Sequence, residues 1–304
     1  MKEKLVYFPK NKQELIEIIK KLFKNKIYNL NCIDTSNIID MSYLFRSIYQ
    51  DINGGIVDHS FDVSEWDVSN VTNMEGIFNN CNVFDCDFSK WNTSNVKNLN
   101  FAFHKCYNFK GNGLDNWNIS NVKKMDFIFY ECKNFTGKTI ENWNTLNIER
   151  AWYAFAYCNN FNANLYKWKI NNCEFIGGMF FNCIKFEGNG LENWNTSKIK
   201  SMPDIFNNCP KLKCNLSNWD VSNVTHMEGM FCGCSNIKCD LSNWNVSKCE
   251  NFENMFEGCN IDNLNIDNWN VNPTSNTRGI FFNIKIPNHF PNWYLNRQII
   301  IRFI

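Results

Sequence analysis

Apolar residues recur along this chain with a period near 25, longer than that of any single helix or strand. Tryptophan stands at Trp66, Trp91, Trp117, Trp143, Trp168, Trp194, Trp219, Trp244 and Trp269, always 25 or 26 residues apart. Phenylalanine follows each one twelve residues later, from Phe78 to Phe281. With the tryptophan as position 0, apolar side chains at +8, +11, +12 and +15, as in Met74, Ile77, Phe78 and Cys81, have the spacing of a short one-faced helix. Ahead of the tryptophan, apolar residues at −3 (Val63, Phe88, Leu114, Leu165) and often at −5 (Phe61, Cys86, Cys214, Cys239) alternate with Asp, Ser, Asn or Gly. That period of two predicts a strand with one wet face. Between the two runs lie stretches such as WDVSNVTNM and WNTSNVKNL, whose Ser and Asn favour turns and helix caps.

Each unit therefore predicts a strand, a turn and a short helix, too small to bury its own apolar face without neighbours. The expected fold is α/β, a leucine-rich-repeat-like solenoid capped at both ends. Residues 1–32 form the N-terminal cap, where Asn11 and Glu14 resemble a capping box ahead of Leu15, Ile18, Ile19, Leu22 and Phe23. Residues 33–284 hold about ten repeats, the first one damaged, with Ile33 in the tryptophan slot and Met41 and Phe45 in register. Residues 285–304, ending in RQIIIRFI, close the open edge of the last coil as a C-terminal cap.

The unit, as in DVSNVTHMEGMFCGCSNIKCDLSNW at 220–244, resembles the domain of unknown function first described in mycoplasma surface proteins. That domain is akin to the BspA-like leucine-rich-repeat antigens, and the likeness runs from about Asp34 to Asn283. The resemblance carries over no enzymatic residues. It implies a surface or adhesion role in bacterial members and also a giant-virus type, which the Asn, Ile and Lys bias of an AT-rich genome suits.

Charge and composition then narrow the classes of function. With 31 basic against 30 acidic residues, the chain has no surplus to draw it to nucleic acid or an anionic membrane. Met1 to Phe23 carries Lys2, Glu3, Lys4, Lys10, Lys12, Glu14 and Glu17, leaving no apolar core for a secretory signal. No window has the roughly 18 to 20 apolar residues of a membrane helix. The expectation is a soluble protein, intracellular (in a host cytoplasm if viral) or carried in a virion. Of 15 cysteines, Cys81, Cys106, Cys132, Cys158, Cys183, Cys209, Cys234 and Cys259 share the +15 slot, a structural position. The thiols of CGCSNIKC (Cys232, Cys234, Cys239) lack paired zinc spacings, and only Cys232 is off the repeat. His59, His104, His226 and His289 are isolated, and the GNG at 111–113 and 188–190 marks the extra residue of 26-residue units. No cofactor, metal or catalytic constellation is expected. Asp62, Asp85, Asp87 and Asp240, the carboxylates a carbohydrate-active enzyme would need, are spread over separate units.

One group of residues breaks its own columns. At +9 the fourth unit has Trp152 where others are polar or small; at +10 aromatics occupy three consecutive units, as Phe101, Phe127 and Tyr153. Tyr130, Tyr157 and Phe181 lie at +13 and +14 nearby. These seven residues are the candidate protein-binding patch of a non-enzymatic interaction scaffold. The alternatives are that packing buries them, or that they serve lateral self-association of a structural component such as a virion protein.

Overall fold

A computed structural model describes residues 5–53, 59–262, 264–285 and 287–301. Coils stack at the expected period, but they are made of turns. Among the described residues, α-helix is confined to α1 (Lys12–Lys24), α2 (Leu44–Asn53) and α3 (Asn292–Ile301), and no strand forms. The α/β strand-turn-helix solenoid is therefore corrected on both counts.

The helix fails because two of its positions have left-handed backbone. At +10 every coil from Gly76 to Gly279 has positive φ, and at +14 so does every coil from Asn80 to Asn283. A right-handed helix of L-residues cannot continue through such points. Turns close instead, Ile77 N–H on the Met74 carbonyl (3.2 Å) and Cys81 N–H on the Phe78 carbonyl (3.0 Å). Positive φ at the third residue of each is the type II form. The spacing +8, +11, +12, +15 thus marks the corners of two consecutive turns.

Alternate N–H groups of the same stretch point along the stack. Met74, Gly76, Phe78 and Asn80 donate to the carbonyls of Asn98, Asn100, Ala102 and His104 in the next coil at 2.7 to 3.1 Å. The strand fails for a related reason: Trp66 N–H turns back to the Val63 carbonyl (3.1 Å) and Trp91 N–H to Phe88 (3.0 Å), so the chain bends where a ladder would run. Parallel pairing survives as isolated bridges at +7, from Asp40 through Asn73, Asn98 and Lys124 to Asn276. The alternate burial is nonetheless as expected, with Phe61, Val63, Cys86 and Phe88 all inside.

Inside the coils, equivalent side chains form ladders. Consecutive +12 phenylalanines from Phe45 to Phe281 stack at 5.4 to 5.9 Å. Tryptophans stack at 6.0 to 6.4 Å, and Trp293 extends their ladder beyond Trp269. The indole N–H usually donates to the −3 carbonyl of the preceding coil, as from Trp91 to Val63 at 3.0 Å and Trp143 to Leu114 at 2.8 Å. Trp117 and Trp194 lack that bond. Both follow a GNG insert whose second glycine crowds the chain beside the carbonyl that would accept it, at Phe88–Ser89 and Leu165–Tyr166. A third ladder, at +18, comprises Phe84, Phe109, Phe135, Phe161 and Phe186, each 4.2 to 4.4 Å from the +12 ring of its own coil. Burying each such ring contributes roughly 1.5 to 3 kcal/mol.

The +15 thiols do more than fill space. Each from Cys106 to Cys259 donates to the +12 carbonyl of the coil before it at 2.9 to 3.0 Å. Burial pushes these thiols well above their ordinary range. All described cysteines are free.

The ends differ from the middle. The Asn11 carboxamide accepts the Glu14 N–H (3.0 Å) at the start of α1, while the Glu14 carboxylate takes the Lys10 N–H (2.9 Å). Leu15, Ile16, Ile19, Leu22 and Phe23 of α1 are buried against the first coils. At the other end Arg297 of α3 donates to the carbonyls of Asn272, Pro273 and Ser275 at 2.6, 2.6 and 3.3 Å. The side chains of the terminal IIIRFI lie outside the described residues.

Two measurements check this architecture. A thiol reagent applied to native protein at pH 8 should modify the half-buried Cys32 first, reach the half-buried Cys232 only slowly because burial and Glu257 hold its thiol up at about 11, and spare the buried cysteines until the chain unfolds. Replacing Arg297 with methionine, which frees the last coil's carbonyls, should lower stability by about 1 to 2 kcal/mol in denaturant titrations.

Candidate functional site: an aromatic face

Position +10 is left-handed in every coil, so its occupants should be residues that tolerate positive φ. Gly76, Gly178, Asp204, Gly229, Asn254 and Gly279 obey that rule; Phe101 (φ +57), Phe127 (φ +56) and Tyr153 (φ +49) do not. A bulky residue held there costs on the order of 1 to 3 kcal/mol. The three rings stack on one another, Phe101 on Phe127 at 4.9 Å with planes 3° apart, and Phe127 on Tyr153 at 5.4 Å and 11°.

The other candidates join this stack. Tyr130 lies 5.7 Å from Phe127 and 5.4 Å from Tyr157, and Phe181 lies 5.2 Å from Tyr157 and 6.1 Å from Tyr153. The structure thus gathers all seven residues into one face, and each is half-buried by its neighbours. His104, singled out in the sequence only as isolated, belongs to the face as well: its ring stacks on Tyr130 at 4.9 Å and 9°.

Glycines fix where the side chains lie. Tyr153 folds over Gly178 and Trp152 over Gly177, so that a Cβ at either glycine would collide with a ring. Pro203 closes on the same glycine from the next coil, and Trp152 lies 6.3 Å from Phe175, which makes it part of the packing between coils. Asp204 covers Gly229 and Asn254 covers Gly279 in the same manner. The sequence carried a signal for this, a Gly-Gly pair 25 residues after Trp152–Tyr153.

Burial first, then Asp204, Tyr157 and Glu228, hold the Tyr153 hydroxyl above its ordinary range. Burial, reinforced by Lys105 and Arg46, pushes His104 down to about 4, and its Nδ1 is shielded without a hydrogen-bond partner.

The remaining candidates are dispersed or already engaged. Cys234 and Cys239 donate to the carbonyls of Phe206 and Cys214, each at 3.0 Å, while Cys232 lies 3.9 Å from Glu257. Asp62, Asp85 and Asp87 do converge, contrary to the expectation of spread carboxylates, on an open hollow of about 430 Å³. Asp62 accepts from Ser64 and Cys86, Asp85 pairs with Lys110 at 3.2 Å, and Asp87 accepts from Ser89. His226 contacts Thr225, and His289 pairs with Asp267. Asparagines of the turns serve the turn itself or the stack: Asn92 accepts the Ser94 N–H, and Asn70 donates to the Ser36 carbonyl.

Stacked coils with continuous side-chain ladders of Trp, Phe and Cys define a repeat protein. The family model described as a Mycoplasma protein of unknown function, DUF285, matches the chain four times, over residues 13–115, 56–138, 99–191 and 178–293, and the chain belongs to that family. No curated protein matches it. Among the described residues no helix is long and apolar enough to cross a membrane.

The buried histidine sets a pH dependence. His104 stays neutral in the folded chain, so its contribution to stability is present above its unfolded pKa near 6.5 and is lost as pH falls toward about 4. A series of melting curves across that window should show the loss in the wild type and a shallower slope in His104→Gln.

Proposed function

We propose that the chain is a non-enzymatic scaffold that holds a protein partner on the aromatic face. The observation that carries this reading is the backbone strain at Phe101, Phe127 and Tyr153. The regular coils otherwise fill the same slot with Gly, Asn or Asp at the same φ, and the damaged first unit has Tyr43 there (φ +49, its ring over Gly76), so stacking of the regular coils does not require aromatic residues at +10. Strain that the ring contacts do no more than offset, in a slot other coils fill without it, points to a binding role. Half-exposed aromatic rings on a preformed surface are also well suited to anchoring an interface, because they lose little side-chain freedom on binding.

A second reading is a structural component of an assembly, such as a virion, with the same face packed laterally between copies. Apolar side chains exposed at the N-terminal end of the stack, Leu5, Val6 and Phe8, offer such an assembly a further contact.

The variant Phe101→Asn/Phe127→Asn/Tyr153→Asn tests both readings. Asn254 already occupies this slot at φ +56, so relief of strain should roughly offset the lost ring contacts. The melting temperature should move by no more than about 4 °C, and affinity capture of the partner should be abolished. A drop well beyond that would mark the rings as packing residues and sink the proposal. Light scattering that shows a concentration-dependent oligomer, lost in the variant, would favour the structural reading instead.

A further inference from the structure

The aromatic face continues into a group of carboxylates. On the coils leading up to it, acids are paired with cations of neighbouring coils, as in Glu131–Lys105 (3.8 Å), Glu149–Lys123 (2.8 Å) and Glu174–Lys200 (2.7 Å). Asp204, Glu228 and Glu257 have no such partner among the described residues.

Asp204 lies in the +10 column beyond Tyr153 and Gly178, with its carboxylate over Gly229 and its N–H on the Glu228 carbonyl (2.8 Å). One hydrogen bond, from the Asn207 carboxamide at 2.7 Å, reaches that carboxylate. The Oε2 of Glu228 is shielded from solvent with no hydrogen-bond partner. Glu257 lies 3.9 Å from the Cys232 sulfur, and burial, then Glu257 and Asp204, push that thiol up to about 11. The Tyr153 ring lies over Gly178, whose N–H meets the Pro203 carbonyl (2.7 Å) beside Asp204, so the unpaired acids follow the ring stack by one coil and, after burial, help hold the Tyr153 hydroxyl above its ordinary range. The fold does not demand an acid here, since Asn254 fills the equivalent place over Gly279. Burial also raises Asp204 above the usual carboxylate range, so its charge is held against the protein's own stability.

Unpaired carboxylates beside aromatic ring faces are complementary to a guanidinium, which stacks on rings and pairs with carboxylates at once. We infer that the aromatic face binds a basic segment of its partner, with an arginine laid along Tyr153 and Phe181 and paired to Asp204 and Glu228. This rests on the aromatic face being the partner site.

The probe is fluorescein-labelled hexa-arginine, titrated by anisotropy against the full chain, with hexa-glutamate as the control. Wild type should bind hexa-arginine, and Asp204→Asn/Glu228→Gln should weaken binding about tenfold or more without lowering the melting temperature. A distant neutralisation of equal charge, Glu65→Gln/Glu187→Gln, should leave the affinity unchanged. Equal affinity in the Asp204/Glu228 variant, equal weakening by the distant one, or hexa-glutamate binding as tightly would each overturn the inference. Partner capture separates the two levels. If the aromatic triple variant loses the partner while Asp204→Asn/Glu228→Gln keeps it, the face stands and the basic segment falls; if both keep it, both readings fall.

Discussion

Positive φ at +10 and at +14 closes two turns in each coil, and the rest of the stack is arranged around them. Between those turns, one set of N–H groups is consumed locally by bonds such as Ile77 to Met74, while the alternate set is aimed at the next coil, as from Gly76 to Asn100 at 2.7 Å. Backbone satisfaction and coil stacking are thereby met by the same short run of residues, without either a helix or a sheet. The corner residues of the turns are driven inward, which places Phe at +12 and Cys at +15 above their counterparts. The thiol then takes a carbonyl of the coil before it, as in Cys106 on Phe78 at 3.0 Å. Serine there would bring an uncompensated second lone pair into an apolar interior; cysteine donates weakly and remains small and apolar.

The repeat, its register and nearly every buried slot were legible in the amino-acid sequence because burial follows side-chain character, and that character recurs without a slip from Trp66 to Phe281. Local backbone was not legible from the same evidence. Apolar residues at +8, +11, +12 and +15 satisfy a helix and a pair of turns equally well, since both return every third or fourth side chain to one side. What separates them is the polar column at +14, where Asn80, Asn182, Asn208, Gly233, Gly258 and Asn283 are residues suited to positive φ and poor in helix interiors. The +18 phenylalanines and Trp293 were missed for a simpler reason, that the +18 slot changes to Leu212 and Ile237 and Trp293 falls 24 residues after Trp269.

The aromatic face was legible as a departure from columns, which is how a repeat protein exposes what its fold does not explain. Its internal order was not. Whether Trp152 faces solvent or a neighbouring coil depends on Gly177 and Pro203, residues 25 and 51 positions away, brought beneath it only by stacking. The carboxylates beyond Tyr153 were invisible for a related reason. A missing counter-ion is a property of space, and Asp204 and Glu228 look like any other acids until the cations around them have been placed.

The N–H groups at +8 to +14 give in one direction along the stack and their carbonyl partners receive from the other. An extra unit copied into the array would therefore meet the donors and acceptors it left behind, whichever coil it followed. Chain length becomes something that unequal recombination can change in steps of one unit, with the cohesive bonds restored each time. The face around Tyr153 has no such freedom. It is written across coils that are not equivalent, and a duplication between Phe101 and Phe181 would part residues that now touch. Selection acting on that face would accordingly leave its mark as a stretch of fixed length inside an array otherwise free to lengthen or shrink.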